Sequence, residues 1–349
     1  MGVRKSIGIK EIAAMAEVSV GTVDRVLHQR GRVSSDTRHK IEQLIVRHGY
    51  QHKRSKIRRR KVGVLLPDPI SNRYWDLPLN GLRERAQLIG EEEIILEEQL
   101  FDYHQSEDFL KKGEELLEVS LDGLIIHPVF RKETYQLVRK IKELNLPFVF
   151  LDVNLPELEP IYFVGQDAKS CGGLAGRLLG LGLGKEDKIW VINLSSSGGN
   201  STSFLREIGA VDALRKGGIK SEQVEVLDLN PDCSHEQMVE KFRQEIKGGN
   251  IPDRVYVTNS KIHRVSHCMD DLKLSHKVTM IGHDPLEENI RLLQEGDIEF
   301  LIAQDSKKQG AMALDGIYDF LSDKVIFEKE SHICSNIYSK ENISSIRMM

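Results

Sequence analysis

Two groups of residues have the types and spacing to do chemistry. The first lies near the N-terminus: Ser19, Val20, Gly21 and Thr22, small or hydrogen-bonding, with Arg25 one turn further on. Such a run at the start of a short helix lets a backbone approach DNA closely, and an arginine can donate a bidentate pair to guanine. Ser34 and Thr37 open the next helix, where backbone N–H groups and hydroxyls hold phosphates. The second group recurs after predicted strands: Tyr74, Trp75, Phe130, Asp152, Arg206, Asn259, Asp284 and Gln304. Carboxylates, amides and a guanidinium chelate adjacent hydroxyls, while aromatic faces cover an apolar C–H face, so this set suits a polyhydroxylated ligand.

The elements that must position these residues are legible. Ile9, Ile12, Ala13 and Ala16 have helical spacing; Val23, Val26 and Leu27 form the inner face of a second short helix, and Ile41, Leu44 and Ile45 that of a third. The first two, joined by a tight turn, make a helix-turn-helix, and the third completes a compact module. Beyond residue 61 the pattern alternates. Strands are predicted at 62–66, 93–97, 123–127, 148–152, 161–164, 188–194, 223–227, 254–258, 279–282 and 300–303, with helices between them. Most are apolar runs, as for strands buried on both faces. This predicts an α/β doubly wound parallel-sheet architecture, large enough for two lobes with a cleft between them. The expected domains are 1–52 (helix-turn-helix), 53–61 (basic linker) and 62–349 (effector domain). Within the last, lobe 1 is expected at 62–164 plus 286–325, and lobe 2 at 165–285 plus the C-terminal segment.

Charge divides the chain at the same place. The 349 residues carry a formal charge of −4. Residues 1–61 hold 16 Lys/Arg against five Asp/Glu, or +11; the remainder holds 33 against 48, or −15. A basic head on an acidic body is expected when one end meets a polyanion. Lys53, Arg54 and Ile57 lie in a stretch, 53–61, in which seven of nine residues are basic. That stretch reads as an arm along the DNA backbone or minor groove, with Ile57 its candidate apolar wedge.

Several chemistries are excluded. No 18-residue apolar run and no secretory h-region appear, so a cytoplasmic protein without membrane contact is expected. The Met-Gly-x-x-x-Ser start is set aside as a short pattern ahead of a DNA-type head. Cys171, Cys233, Cys268 and Cys334 are far apart, with no Cys-x-x-Cys. His263 and His267 have i, i+4 spacing but lack a third ligand, and Gly180–Lys185 lacks phosphate-loop spacing. No nucleophile–base pair suggests catalysis, and no cofactor or metal is expected. A Rossmann-type enzyme is a competing reading, but after the first predicted strand the chain reads Leu66-Pro67-Asp68-Pro69 rather than Gly-x-Gly-x-x-Gly. A sugar-binding protein without DNA function is another; the basic head argues against it.

The head carries a resemblance. Ile12-Ala13-x-x-Ala16-x-Val18-Ser19-x-x-Thr22-Val23-x-Arg25-Val26-Leu27, then Val33-Ser34-x-x-Thr37-Arg38 and Gly49-Tyr50, resembles the lactose-repressor (LacI/GalR) family of bacterial transcription regulators. Glu17 stands where that family usually has glycine, Asp24 where it has serine, and His28 where it has asparagine. His28 is then expected to contact the DNA in place of an amide. The 51–61 segment lacks the family's Pro-Asn and its minor-groove leucine. The body resembles the periplasmic sugar-binding fold that forms the effector domain of such regulators, through Val62-Gly63-Val64, Asp122–Ile126, Pro147–Asp152, Val164–Asp167, Ile281–Asp284 and Gln304 ahead of Gly310. By that resemblance Tyr74 and Trp75 are the stacking aromatics, Asp152 the acid receiving hydroxyls and Arg206 the effector arginine. It also implies a homodimer on a pseudo-palindromic operator, with effector closure of the cleft altering operator affinity.

Overall fold

A computed structural model describes residues 8–27, 33–48, 59–194, 202–322 and 328–345. His28, Lys53, Arg54 and Ile57 lie outside these.

The head consists of α1 (Ile9–Ala16), α2 (Val20–Leu27) and α3 (Ser35–His48). Their apolar faces meet in a small core of Ile12, Ala13, Ala16, Val23, Val26, Leu27, Ile41 and Ile45, as the 3.6-residue spacing predicts. α1 ends in a Schellman motif: Val18 N–H donates to the Ala13 carbonyl at 3.0 Å and Glu17 N–H to that of Ala14 at 3.2 Å. Glu17 therefore adopts φ 60, the left-handed conformation that favours glycine.

The rest divides into two compact units, the first holding the chain up to residue 71, 78–164 and 307–331, the second 72–77, 165–306 and 332–349. Each is built around one six-stranded sheet. The first unit's sheet is laid down by β1 (Arg60–Pro67), α4 (Asp76–Ile89), β2 (Ile94–Phe101), α5 (Ser106–Leu117), β3 (Gly123–Ile126), α6 (Arg131–Glu143), β4 (Phe148–Leu151) and β5 (Tyr162–Gly165). The second follows with α7 (Ala168–Gly180), β6 (Ile189–Leu194), α8 (Thr202–Lys216), β7 (Val224–Leu229), α9 (His235–Lys247), β8 (Arg254–Val257), α10 (Ile262–Asp271), β9 (Thr279–His283), α11 (Glu287–Glu295) and β10 (Phe300–Ala303). Then α12 (Ser306–Leu321) and β11 (Glu330–His332) return to the first unit, and β12 (Asn336–Tyr338) closes the second.

The two sheets have the same order, β2-β1-β3-β4-β5-β11 and β7-β6-β8-β9-β10-β12. Their core strands pair in parallel, and β12 runs antiparallel to β10. In this doubly wound order ligands gather outside the carboxyl ends of the strands. Ten predicted strands are present.

Two boundaries differ from the sequence reading. The segment from 286 to 306, expected in lobe 1, belongs to the second unit, because β10 pairs with β9 there. The basic arm is also shorter than 53–61. β1 begins at Arg60, whose guanidinium donates to the Leu321 carbonyl at 2.7 Å and faces Asp122 at 3.9 Å. Lys61 pairs with Glu97 at 3.2 Å. These two cations are taken up by the sheet and the end of α12, where they offset the helix C-terminal dipole and nearby carboxylates.

Helix packing within the second unit rests on glycine. A Cβ on Gly172 of α7 would lie 1.9 Å from the Arg206 carbonyl oxygen, and one on Gly209 of α8 would lie 1.9 Å from that of Lys169. Only hydrogen allows the two backbones this approach, and the approach fixes the height of α8 and of the Arg206 it carries. In the first unit Gly81 and Gly310 play the same part between α4 and α12.

Candidate DNA-reading head and effector site

Ser19 is the N-cap of α2. Its Oγ accepts Thr22 N–H at 3.1 Å and lies 2.9 Å from Thr22 Oγ1, satisfying a first-turn donor. Val20 and Gly21 are exposed beside it, Val20 at 41%. Arg25 is exposed too, its Nε donating to the Gly21 carbonyl at 3.1 Å. Ser19, Val20, Gly21 and Thr22 thus share the N-terminal end of α2, and Arg25, in its last turn, folds back onto Gly21. Ser34 repeats the arrangement at the start of α3: its Oγ accepts Thr37 N–H at 3.3 Å and donates to Thr37 Oγ1 at 2.7 Å. Glu17, in place of the usual glycine, reaches Lys40 at 3.3 Å.

In the second unit, four predicted effector residues gather at the carboxyl ends of the sheet. Arg206 is 3% exposed. Its Nη1 donates to the Thr258 carbonyl and its Nη2 to Gln166 Oε1, both at 2.9 Å. Asp284 directly follows β9 with φ 62 and is also buried. Burial pushes its carboxyl up to about 6, against the pull of the Arg206 charge and a hydrogen bond from Gln304 Nε2 at 3.3 Å. A buried guanidinium beside a buried carboxylate offers donor and acceptor edges to vicinal hydroxyls, where bulk water competes poorly. Asn259 serves partly as scaffold: its amide donates to the Leu194 carbonyl at 2.8 Å and accepts Lys261 N–H at 3.0 Å, clamping the end of β6 to the turn after β8.

The first unit has its own cluster. Asp152 directly follows β4, with φ 70. His127, at the end of β3, is buried and held neutral, its pKa pushed down to about 3 by desolvation. Its Nδ1 is 3.2 Å from the Leu151 carbonyl, which fixes the proton there, and 3.7 Å from Asp152 Oδ2. Tyr103 stacks on the imidazole at 6.3 Å. Burial and the Asp152 charge push its hydroxyl up to about 12, so it remains a neutral donor. His127 and Tyr103 were absent from the sequence-derived set, and so was Gln166 as an arginine partner. All three sit just past strand ends, and that position was their available signal.

The predicted aromatics are placed differently from one another. Tyr74 and Trp75 are buried, edge to face at 5.2 Å, and grouped with the second unit rather than the first. Ser306 Oγ donates to the Tyr74 hydroxyl at 3.1 Å. Phe130 packs on Phe109 and Phe101, at 5.8 and 6.2 Å, at the margin of the first unit's core.

Residues 8–52 match the model of bacterial regulatory proteins of the lacI family, and residues 62–324 match that of the periplasmic binding protein domain. The chain belongs to the LacI family. It is 24% identical to the ribose operon repressor of Lactococcus lactis over 354 residues, 97% of this chain and 98% of that one. It is 33% identical to the HTH-type transcriptional regulator RegA of Clostridium saccharobutylicum over 150 residues, 41% of this chain and 43% of that one. Two solved structures share the body's fold. One is a glucose-galactose binding protein from Geobacillus stearothermophilus (TM-score 0.70, 22% identity, covering 81% of this chain and 99% of that one). The other is a solute binding protein from Burkholderia graminis in complex with D-arabinose (TM-score 0.72, 15% identity, 83% and 99%). As a LacI-family member the chain is a DNA-binding, sugar-responsive regulator of transcription. No helix among the described residues is long and apolar enough to cross a membrane.

Proposed function

We propose that this regulator acts as a repressor in the cytoplasm, as a homodimer whose two heads engage the half-sites of a pseudo-palindromic operator. Ser19, Val20, Gly21, Thr22 and Arg25 read the major groove, with His28 beside them. Ser34 and Thr37 hold phosphates, while Lys53, Arg54 and Ile57 follow the minor groove or backbone. The effector is a pentose or hexose. Arg206, Asp284, Gln304 and Asn259, with Tyr74 and Trp75, are its candidate contacts on the second unit; Asp152 and Phe130 are the candidate effector residues of the first unit. The observation that carries this reading is the buried Arg206–Asp284 cluster at the strand ends. Taking two charges out of water is costly and confers little stability, so its retention is best explained by a ligand that uses both. The relatives named for ribose and the neighbour holding D-arabinose support a sugar of this size.

The test is a thermal-shift screen of the full chain against pentoses, hexoses, sugar alcohols and sugar acids. A ligand at 100 times its Kd stabilises by about 2.7 kcal/mol. A pentose or hexose that raises Tm, and loses the effect in Arg206→Ala, supports the assignment. A ligand whose effect survives Arg206→Ala removes Arg206 from the site.

A further inference from the structure

Besides the short 72–77 excursion, the backbone passes between the two units at 164/165, 306/307 and 331/332, here the first, second and third passages. Inside the second unit, the Arg206–Asp284 cluster is tied to all three passages. Gln166, the second residue past the first passage, is buried; its Oε1 accepts from Arg206 at 2.9 Å while its Nε2 donates to Ser335 Oγ at 2.8 Å. Ser335 is the fourth residue past the third passage. The two segments are also joined by backbone, Ile333 N–H donating to the Gly165 carbonyl at 2.8 Å. Gln304, two residues short of the second passage, donates to Asp284. Cys171 of α7 lies against the same groups. Burial pushes its thiol up, and both the Arg206 charge and a hydrogen bond with Ser335 oppose that.

We propose that Gln166 is a positioning residue that couples the state of the Arg206 guanidinium to the first and third passages between the units. The proposal rests on the reading of Arg206 as the effector arginine. A primary amide suits this place because it accepts from a guanidinium and donates to a hydroxyl at the same time. When a sugar oxygen draws on the guanidinium, the Nη2–Oε1 bond must adjust. Gln166 is buried and cannot turn to water, so Ser335 adjusts with it. Effector occupancy thereby acts on the segments that link the units without any contact between the effector and those segments. Such a coupling is a shared free energy between two places and is reciprocal.

The experiment is residue-resolved amide exchange on the full chain, read at Ile333. Gln166→Met keeps the side-chain volume and removes both bonds; exchange at Ile333 should rise roughly fivefold, as for the loss of one net hydrogen bond. Arg206→Lys keeps the charge but cannot reach Thr258 and Gln166 together, and should produce the same rise. The double variant should be no faster than either single one. Gln166→Glu, which still accepts from Arg206 and can accept from Ser335 Oγ–H, should return exchange toward wild type. Wild-type exchange at Ile333 in Arg206→Lys overturns the proposal, as do effects that multiply in the double variant. A second arm adds D-ribose, D-galactose, D-arabinose and D-allose singly. A sugar that raises the wild-type Tm should change Ile333 exchange in the wild type and not in Gln166→Met; equal changes in both overturn the coupling. If none of them raises Tm, the variants still decide the coupling, and it is the effector reading that falls.

Discussion

Asp284→Asn should stabilise the protein while weakening its response to effector. The carboxyl ordinarily titrates near 3.8 and is raised by burial to about 6 in the folded chain. At about 1.4 kcal/mol per pKa unit, the ionised group costs the folded state up to about 3 kcal/mol at pH 7.5. The sign follows from linkage. Between about pH 4 and pH 6 the folded chain holds a proton that the unfolded chain has released, so stability at this position falls as pH rises through that window and is flat above it. Asparagine has the same shape and carries no charge at any pH. For a unit of this size, about 3 kcal/mol corresponds to roughly 6–12 °C in Tm. Scanning calorimetry of the full chain should therefore show Asp284→Asn melting up to about that much higher than wild type at pH 7.5 and by only about a third of that at pH 4.5. The attraction of Arg206 is already contained in that net shift, so the gain allows for its loss. An asparagine variant no more stable than wild type at pH 7.5, or equally stabilised at both pH values, refutes the reasoning. A sugar that stabilises wild type should bind the variant more weakly, because a charge-assisted acceptor has become a neutral one.

Three further outcomes follow from the geometry. Glu17→Gly relieves a left-handed residue at the end of α1 and gives up only an exposed pair with Lys40; amide exchange in the head core should slow by roughly fivefold, corresponding to about 1 kcal/mol. Gly209→Ala places a Cβ 1.9 Å from a backbone oxygen that cannot yield; we expect a loss of roughly 3 kcal/mol or more in denaturant unfolding and weaker sugar binding, because α8 must shift and carry Arg206 with it. Arg25→Ala should cost operator binding about 1–3 kcal/mol with little change at non-operator sequences, whereas removing Lys53 should lower both and reduce the salt dependence, as read by anisotropy across a salt series.

Much of this was legible in sequence because its determinants are local. Ser19 and Ser34 announce their helices by type and spacing, and the parallel strands read as apolar runs because both faces are covered. β11 and β12 were not legible. Glu330–His332 is polar, Asn336–Tyr338 is three residues long, and both owe their conformation to partners far along the chain. The assignment of 286–306 failed for the same reason: nothing in Phe300–Ala303 states which sheet it will join. Among the candidate site residues, charge and position sufficed to mark Arg206 and Asp284. The burial of Tyr74 and Trp75, and the neutral His127 under Tyr103, depend on packing that no local pattern encodes.

The start of β1 at Arg60 sets a length. α3 ends at His48, so 11 residues, 49–59, stand between α3 and β1. Eleven residues span at most about 37 Å. One turn of DNA is about 34 Å. The covalent reach of these 11 residues is therefore close to one helical turn. In a dimer, the permitted gap between half-sites is then a property of chain length, and inserting or deleting residues in 49–59 becomes a way to tune which promoters the protein can bridge.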